Sequence, residues 1–349
     1  MASFDPAKLT EPLSAESPGG EDLSYDPAFL EIMRESAGKP ESVMGESKID
    51  AVEPNWREVK SGCLSLLERT RDLRLLTLLS AAAVATEGFD GLRAGLETIR
   101  GAIEKLWDDV HPRLDPDDNN DPTERVNILG SLAATAGTAG DVLRLVEKVR
   151  EVPVTDSRQI GRFTYRQIMV SRGELPPTGE EAVQDAAIID AAFEDTAAED
   201  LQGSEAALTG CVDALVALDK SLASKVGSFQ SANFGALKQA LVEVRKEVQG
   251  ALAKRGYGPE PTDESSSGGG AGGGPSLSGE IRSNGDVLMA LDKICRYYER
   301  MEPASPVPLL LKRAQRLVGK SFIDIVKDLT PDSIAYLESV TGVELKSEG

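Results

Sequence analysis

The sequence predicts an all-α, multidomain protein of helical bundles, with one small β-hairpin near 152–173 as the exception. Three observations lead there. Apolar residues recur every three or four positions through most of the chain, the period of a helix with one buried face. Helix-opening signals stand just ahead of these stripes, at Asp26-Pro27, Asn55-Trp56-Arg57-Glu58 and Asp121-Pro122-Thr123-Glu124. The stretch 259–279, PEPTDESSSGGGAGGGPSLSG, has no apolar period and reads as a flexible coil spanning roughly 25 Å.

Composition narrows the class. The chain has 349 residues, enough for two or three domains, and 40% of them are hydrophobic, enough for packed cores. The formal net charge of −20 disfavours nucleic acid and anionic lipid as partners through general attraction. The opening MASFDPAKLT has no apolar signal-peptide region. The longest uncharged apolar run, Leu75 to Thr86, falls short of the ~20 residues a membrane-spanning helix needs. Cys63, Cys211 and Cys295 lie far apart and leave no even set for a disulfide framework and no CxxC metal site. A soluble, cytoplasmic protein without direct membrane insertion is expected.

The elements follow in order. Pro27 begins a helix capped by Asp26. Asn55 and Glu58 frame a second, and Trp56, Val59, Cys63, Leu66, Leu73, Leu76 and Leu79 continue on one stripe, as one long helix or two. Gly88 to Trp107 is another, with Leu92, Leu96, Ile99, Ile103 and Leu106 inward. The box at 121–124 opens RVNILGSLAATA. Residues 152–173, VPVTDS followed by RFTYRQIMVSRG, alternate like a short hairpin. From Gly173 to Asp219 there are twelve acidic residues and no Lys or Arg. Val183, Ala186, Ile189 and Phe193 give this run a helix with an acidic outer face. Leu208 to Val226 and Asn233 to Leu252 read as an antiparallel pair. Beyond the linker, Val287, Leu291, Ile294 and Tyr298 share a helix face, and Pro303, Pro306 and Pro308 interrupt it. Leu310 to Leu329 resumes as helix, and Thr330-Pro331 caps a last one carrying Ile334, Leu337 and Val340. The expected divisions are 1–172, 173–258, the linker 259–279, and 280–349. The last division holds ten basic and eleven acidic residues, a net charge of about −1 against about −19 for the rest.

Catalytic and ligand motifs fail on detail. Asp115 to Asp121 begins like an EF-hand loop, but Asn120 replaces the turn glycine and Val126 the bidentate glutamate. Gly319-Lys320-Ser321 lacks the upstream glycine of a phosphate loop, since Ala314 stands there. The glycines of 268–274 follow no strand. His111, the one histidine, is read as a helix C-terminal residue stopped by Pro112 rather than as a base oriented by Asp108 or Asp109. No cofactor or metal is expected. Lys312, Arg316 and Lys320, spaced by four, form a cationic stripe with Arg313 beside it, read either as a solvated face or as a docking surface for an acidic protein.

Longer motifs go further. Residues 9–30, LTEPLSAESPGGEDLSYDPAFL, resemble the opening of the ImpA-type N-terminal domain of the TssA family of type VI secretion proteins; Gly20, Glu21, Asp22 and Tyr25 lie in the matching segment. The resemblance continues through EPNWREV, with Trp56 and Arg57, through LLERTRDL, with Asp72, and through WDDVHP, with Trp107, His111 and Pro112, into DPDDNNDPTERVN. The tail YYERMEPASPVPLLLKRAQRLV, with Glu302, Pro303, Ser305, Pro306, Lys312, Arg313 and Arg316, is similar to the C-terminal segment of the shorter members.

The resemblance implies a non-enzymatic structural component of the secretion machine. It would form a homo-oligomeric ring through 280–349, associate with baseplate, tail-tube and sheath proteins, and recruit or prime their assembly, with the membrane complex as a further partner. Two alternatives stand beside it: a monomeric adaptor bridging baseplate and membrane complex, and a metal-dependent hydrolase using His111 and the acidic loop 115–121.

Overall fold

The computed structural model describes residues 4–38, 42–44, 47–49, 52–138, 140–179, 181–228, 230–257, 284–301, 306–318 and 320. The chain divides into two units, Met1–Asp263 and Glu264–Gly349.

In the first unit, α1 (Pro6–Leu9) and α2 (Pro27–Ser36) each open on an aspartate before a proline. Asp26 Oδ1 accepts from Ala28 N at 2.9 Å, the expected cap. Strands β1 (Ser42–Met44) and β2 (Ser47–Ile49) form a short antiparallel pair. Helix α3 (Trp56–Leu66) buries Val59, Cys63 and Leu66. Its cap at Asn55 is not made: with ψ at 85° the residue lies off extended cap geometry, and its side chain bonds no helical N–H.

The core of the unit is α4 (Leu73–Leu106), so the stripe that began at Trp56 runs over two helices. Gly88 interrupts α4 with φ 65° and ψ −145°, a conformation that a Cβ would strain. The chain turns back on itself there. A Cβ on Gly91 would stand 2.5 Å from the Ala83 carbonyl oxygen, and one on Gly95 would stand 2.9 Å from Ser80 Cα. The two arms, 73–87 and 89–106, therefore touch backbone to backbone at these glycines. Helix α4 is long and apolar enough to cross a membrane, yet 72% of its apolar window is buried in this core.

Helix α5 (Thr123–Gly130) and α6 (Leu145–Glu151) pack on α4, a 3-10 turn at Ser131–Ala133 packs on both of them, and α7 (Tyr165–Ser171) packs on α6. The hairpin expected over 152–173 is absent. Pro153–Thr164 and Ser157–Gly161 pair only as isolated bridges, and the second half is α7. The cause is a complete capping box. Thr164 Oγ1 accepts from Gln167 N at 3.2 Å and Gln167 Oε1 accepts from Thr164 N at 2.9 Å, starting a helix where a second strand would run.

Helix α8 (Ala186–Asp195) keeps Asp190 and Glu194 exposed, as its acidic face predicts. Helix α9 (Ala198–Val226) begins well before Leu208, with Glu199 and Asp200 in the first turn, where the helix dipole favours acids. It packs on both α4 and α10 (Gly235–Lys254). Leu208, Leu215, Leu218 and Leu222 of α9 join Leu237, Leu241, Val244 and Val248 of α10 in the same core as Leu79, Leu92 and Leu96. Residues 1–172 and 173–258 thus share one core. The acidic run coats its outside because one face of each helix remains wet.

In the second unit, α11 (Asn284–Met301) packs on α12 (Val307–Leu317). Cys295, 3% exposed, takes the inward position between them, while Ile294 is 43% exposed. Helix α12 starts at Val307 rather than Leu310 because proline in a first turn costs no hydrogen bond. It ends at Leu317, where Val318 turns extended, so Lys320 lies beyond the helix and the cationic stripe stops at Arg316. The linker 259–279 and residues 321–349, with the last expected helix, lie outside the described residues.

Candidate functional site

Most of the motif residues meet at one junction, where three irregular segments cross the base of α4. Arg71 N donates to Gly19 O at 2.7 Å, and Glu21 N donates to Arg69 O at 3.1 Å. On the other side His111 N donates to Arg71 O at 2.8 Å, and Leu73 N donates to His111 O at 2.9 Å. Gly20 sits at φ 73°, its backbone too close to Arg69 O to admit a side chain. His111 is therefore a link in a backbone pairing with Asp72, not a helix C-terminal residue; Trp107 ends α4 before it. Its ring is buried, with Nε2 3.3 Å from Gly20 O, and the His111–Pro112 peptide is cis.

Side chains staple this junction. Asp72 is fully buried, accepts from Arg74 N at 2.8 Å as the cap of α4, and pairs with the Arg74 guanidinium at 2.6 Å. Arg69 spans Glu21 at 2.8 Å and Asp26 at 2.9 Å, and this bond holds the Asp26 carboxyl below the usual carboxylate range. The Ser24 hydroxyl, 2.6 Å from Asp22 Oδ1, does the same for Asp22.

Two residues outside the predicted set do the most. Arg71 donates to the carbonyls of Lys8, Glu11, Leu67 and Thr70. Arg125, 1% exposed, donates to the carbonyls of Trp107, Val110 and Pro112 and lies 4.8 Å from the Trp107 ring centroid. A signal for Arg125 was present: it shares the helical face of Leu129, a core position.

The remaining motif residues separate. Tyr25 is 93% exposed and Arg57 is exposed too, as are the side chains of Glu21 and Asp22 at the rim of the junction. Trp56 is half-buried, with Lys148 Nζ 4.1 Å from its ring centroid. In the tail, Pro306, Lys312 and Arg316 are exposed and Arg313 is half-buried; Glu302, Pro303 and Ser305 lie outside the described residues.

The hydrolase reading finds no geometry here. His111 faces a carbonyl. Asp115 Oδ1 accepts from Asp117 N, and Asp121 Oδ1 accepts from Thr123 N and Oγ1, so the acidic loop spends oxygens on its own turns. Among the described residues no three His, Cys, Asp or Glu side chains are grouped to hold a metal.

Comparison with known proteins agrees with the motifs. Residues 10–134 match the family described as ImpA, N-terminal, type VI secretion system. The chain is 37% identical over 351 residues to the type VI secretion system component TssA1 of Pseudomonas aeruginosa, covering 98% of this chain and 99% of that one. The fold resembles the solved N-terminal domain, including the conserved ImpA_N region, of the TssA component from Burkholderia cenocepacia. That match has a TM-score of 0.58 and 24% identity over 72% of this chain and 95% of that one. The chain therefore belongs to the TssA family of type VI secretion system components.

Proposed function

We propose that this chain is a non-enzymatic, ring-forming scaffold that sits at the baseplate on the cytoplasmic side and recruits or primes tail-tube and sheath assembly. One observation carries the reading. The α11–α12 pair leaves Leu309 74%, Leu310 66%, Ile294 43% and Leu288 40% exposed. So much apolar surface on two helices calls for a partner. A second copy fits because the tail, 280–349, is near neutral, whereas like charge sets the acidic remainder of each copy against its neighbours. Copies held in a ring raise the effective concentration of whatever the first unit binds, which suits repeated tube, sheath and baseplate surfaces.

Sedimentation of the full chain at micromolar concentration tests this. The wild type is expected as a high-mass species, and the Leu309→Asp/Leu310→Asp double variant as a much smaller one. A wild type that sediments as one polypeptide at every concentration removes the ring and leaves a monomeric adaptor between baseplate and membrane complex.

A further inference from the structure

A groove of about 640 Å³ runs between α2 and α5, lined also by Leu78 of α4 and by Val142 and Leu143. Its apolar surface reaches solvent. Val142 is 69% exposed, and Met33 of α2 is exposed too. Leu30, 54% exposed, and Ala37 stand three residues before and four after Met33, so α2 carries a second apolar stripe besides the face that buries Phe29. A single exposed apolar residue needs no explanation, but a stripe that runs into a groove marks a contact surface.

The hydroxyls of the lining are already engaged. Ser36 Oγ donates to Met33 O at 2.8 Å, Thr77 Oγ1 to Arg74 O at 3.0 Å, Thr123 Oγ1 to Asp121 Oδ1 at 2.7 Å and Ser131 Oγ to Ile128 O at 2.6 Å. The Arg74 guanidinium pairs with Asp72 and donates to Ser24 Oγ at 2.9 Å. The groove therefore offers an occupant mainly apolar surface. Charge at its edge is one-sided. Glu124 lines it, Asp121 bonds the lining Thr123, and Asp141 lies between the lining residues Gly140 and Val142. Among the described residues none of these three acids has an ion-pair partner, whereas the nearby cations do: Arg34 holds Glu31 at 3.2 Å, and Arg144 lies 3.7 Å from Glu53.

We propose that this groove receives an amphipathic helix of another protein, its apolar face inward and lysine or arginine along its flanks. The walls select a helix. Main-chain groups of α2, α4 and α5 are bonded within those helices, so an extended segment laid against them would bury its own N–H and C=O groups without partners. A helix arrives with its backbone satisfied. The α5 wall, Thr123 to Ser131, is about 12 Å long, which matches apolar anchors at i, i+4 and i+7 of an incoming helix. The rim selects the charge. An acidic helix would set like charges against Asp121, Glu124 and Asp141, and a basic one is attracted. The groove lies wholly in the first unit, and the proposal does not rest on the ring.

The test uses the full chain and a dye-labelled synthetic helix of about four turns, with leucine at every third or fourth position and lysine and alanine between. Its fluorescence anisotropy should saturate with the wild type. Val142→Asp and Met33→Glu change exposed positions, so each should keep the wild-type melting temperature to within about 2 °C and weaken binding at least about tenfold. Glu124→Gln should weaken binding about threefold at low salt and flatten its salt dependence. A peptide of the same composition in shuffled order, with no apolar face, should bind at least about tenfold more weakly, and one with glutamate for lysine more weakly still. Equal binding of the shuffled peptide makes the attraction charge alone, and tighter binding of the glutamate peptide reverses the charge assignment. Absence of saturation, or full affinity in both apolar variants, removes the groove. A melting temperature lowered by more than about 5 °C in both variants makes the stripe part of the core. Each of these outcomes overturns the proposal. Sedimentation of Val142→Asp should stay that of the wild type; a smaller species would seat a second copy in the groove and overturns it too. A wild type that sediments as one polypeptide removes the ring and leaves peptide binding as it was, so the two failures are distinct.

Discussion

Arg125→Met is the substitution whose cost the structure specifies most directly. The guanidinium is buried, and burial lowers its pKa to about 10, still far above neutrality, so it enters the core charged. Its donors end on Pro112 O at 2.7 Å, Val110 O at 2.7 Å and Trp107 O, and no carboxylate among the described residues pairs with it. Methionine fills a similar length but donates nothing. Each orphaned carbonyl costs about 1–3 kcal/mol, and the lost stack on Trp107 about 0.5–2 kcal/mol. Relief from desolvating the cation offsets part of this, which leaves a net loss of about 3–5 kcal/mol. That is a fifth or more of the ~5–15 kcal/mol available to a typical folded protein. Urea unfolding followed by tryptophan fluorescence measures it, since Trp107 reports the site itself. Arg125→Lys, which can reach one carbonyl well, should recover about a third. A loss under about 1 kcal/mol for Arg125→Met would falsify the assignment of this residue as the donor that closes the junction.

Two further outcomes follow from the core. Helix propensity alone predicts that Gly95→Ala gains about 1 kcal/mol, but the new Cβ would stand 2.4 Å from Ser80 Oγ and 2.9 Å from Ser80 Cα. A net loss of about 1–3 kcal/mol in urea unfolding is therefore expected, and a gain contradicts the backbone contact between the arms of α4. Burial pushes the Cys63 and Cys211 thiols to about 12. Because the folded chain keeps protons that the unfolded chain releases above about pH 9, stability from these thiols is complete at pH 7 and is lost as pH climbs toward 12, about 1 kcal/mol per thiol by pH 10. Unfolding at both pH values, repeated with Cys63→Ala, should show that share of the slope removed; an unaltered slope refutes it.

What the sequence disclosed depended on how local the cause was. The cap at Asp26 and the stripe of α10 are set within a few residues of chain, and they stand where the sequence puts them; the box expected at 121–124 is not made, since α5 opens on Pro122 with no side-chain cap and the Asp121 side chain bonds only Thr123. The stretch RFTYRQIMV alternates well enough to pass for a strand. Thr164 and Gln167, three positions apart, held the opposing signal and prevailed by satisfying two N–H groups at once. The packing of α9 along α4 joins residues as distant as Cys211 and Phe89, whose carbonyl lies 3.1 Å from the thiol, and no local pattern announces it. The motif residues were visible by resemblance. Their convergence on one junction was not, because it rests on backbone pairing between segments 19–21, 69–73 and 110–112, which carries no side-chain signature.

The distribution of charge explains why cations were missed at the site and what the outer surface becomes. Irregular segments that cross without a ladder leave carbonyls facing inward, and only a donor can satisfy them. Arginine brings five N–H groups and no acceptor, so it suits such a place where a carboxylate cannot. This acidic chain accordingly puts Arg71, Arg125 and Lys148 inside, while Asp190, Glu194, Asp213 and Asp219 stay exposed on α8 and α9. Every cation moved inward leaves the first unit's surface more negative than its share of the −20 total implies. Such surfaces repel their own copies, which in the proposed ring would keep neighbouring first units apart. On that reasoning higher salt, by screening the repulsion, should strengthen self-association of the wild type; a ring that dissolves as salt rises would place its contacts on charge rather than on Leu309 and Leu310.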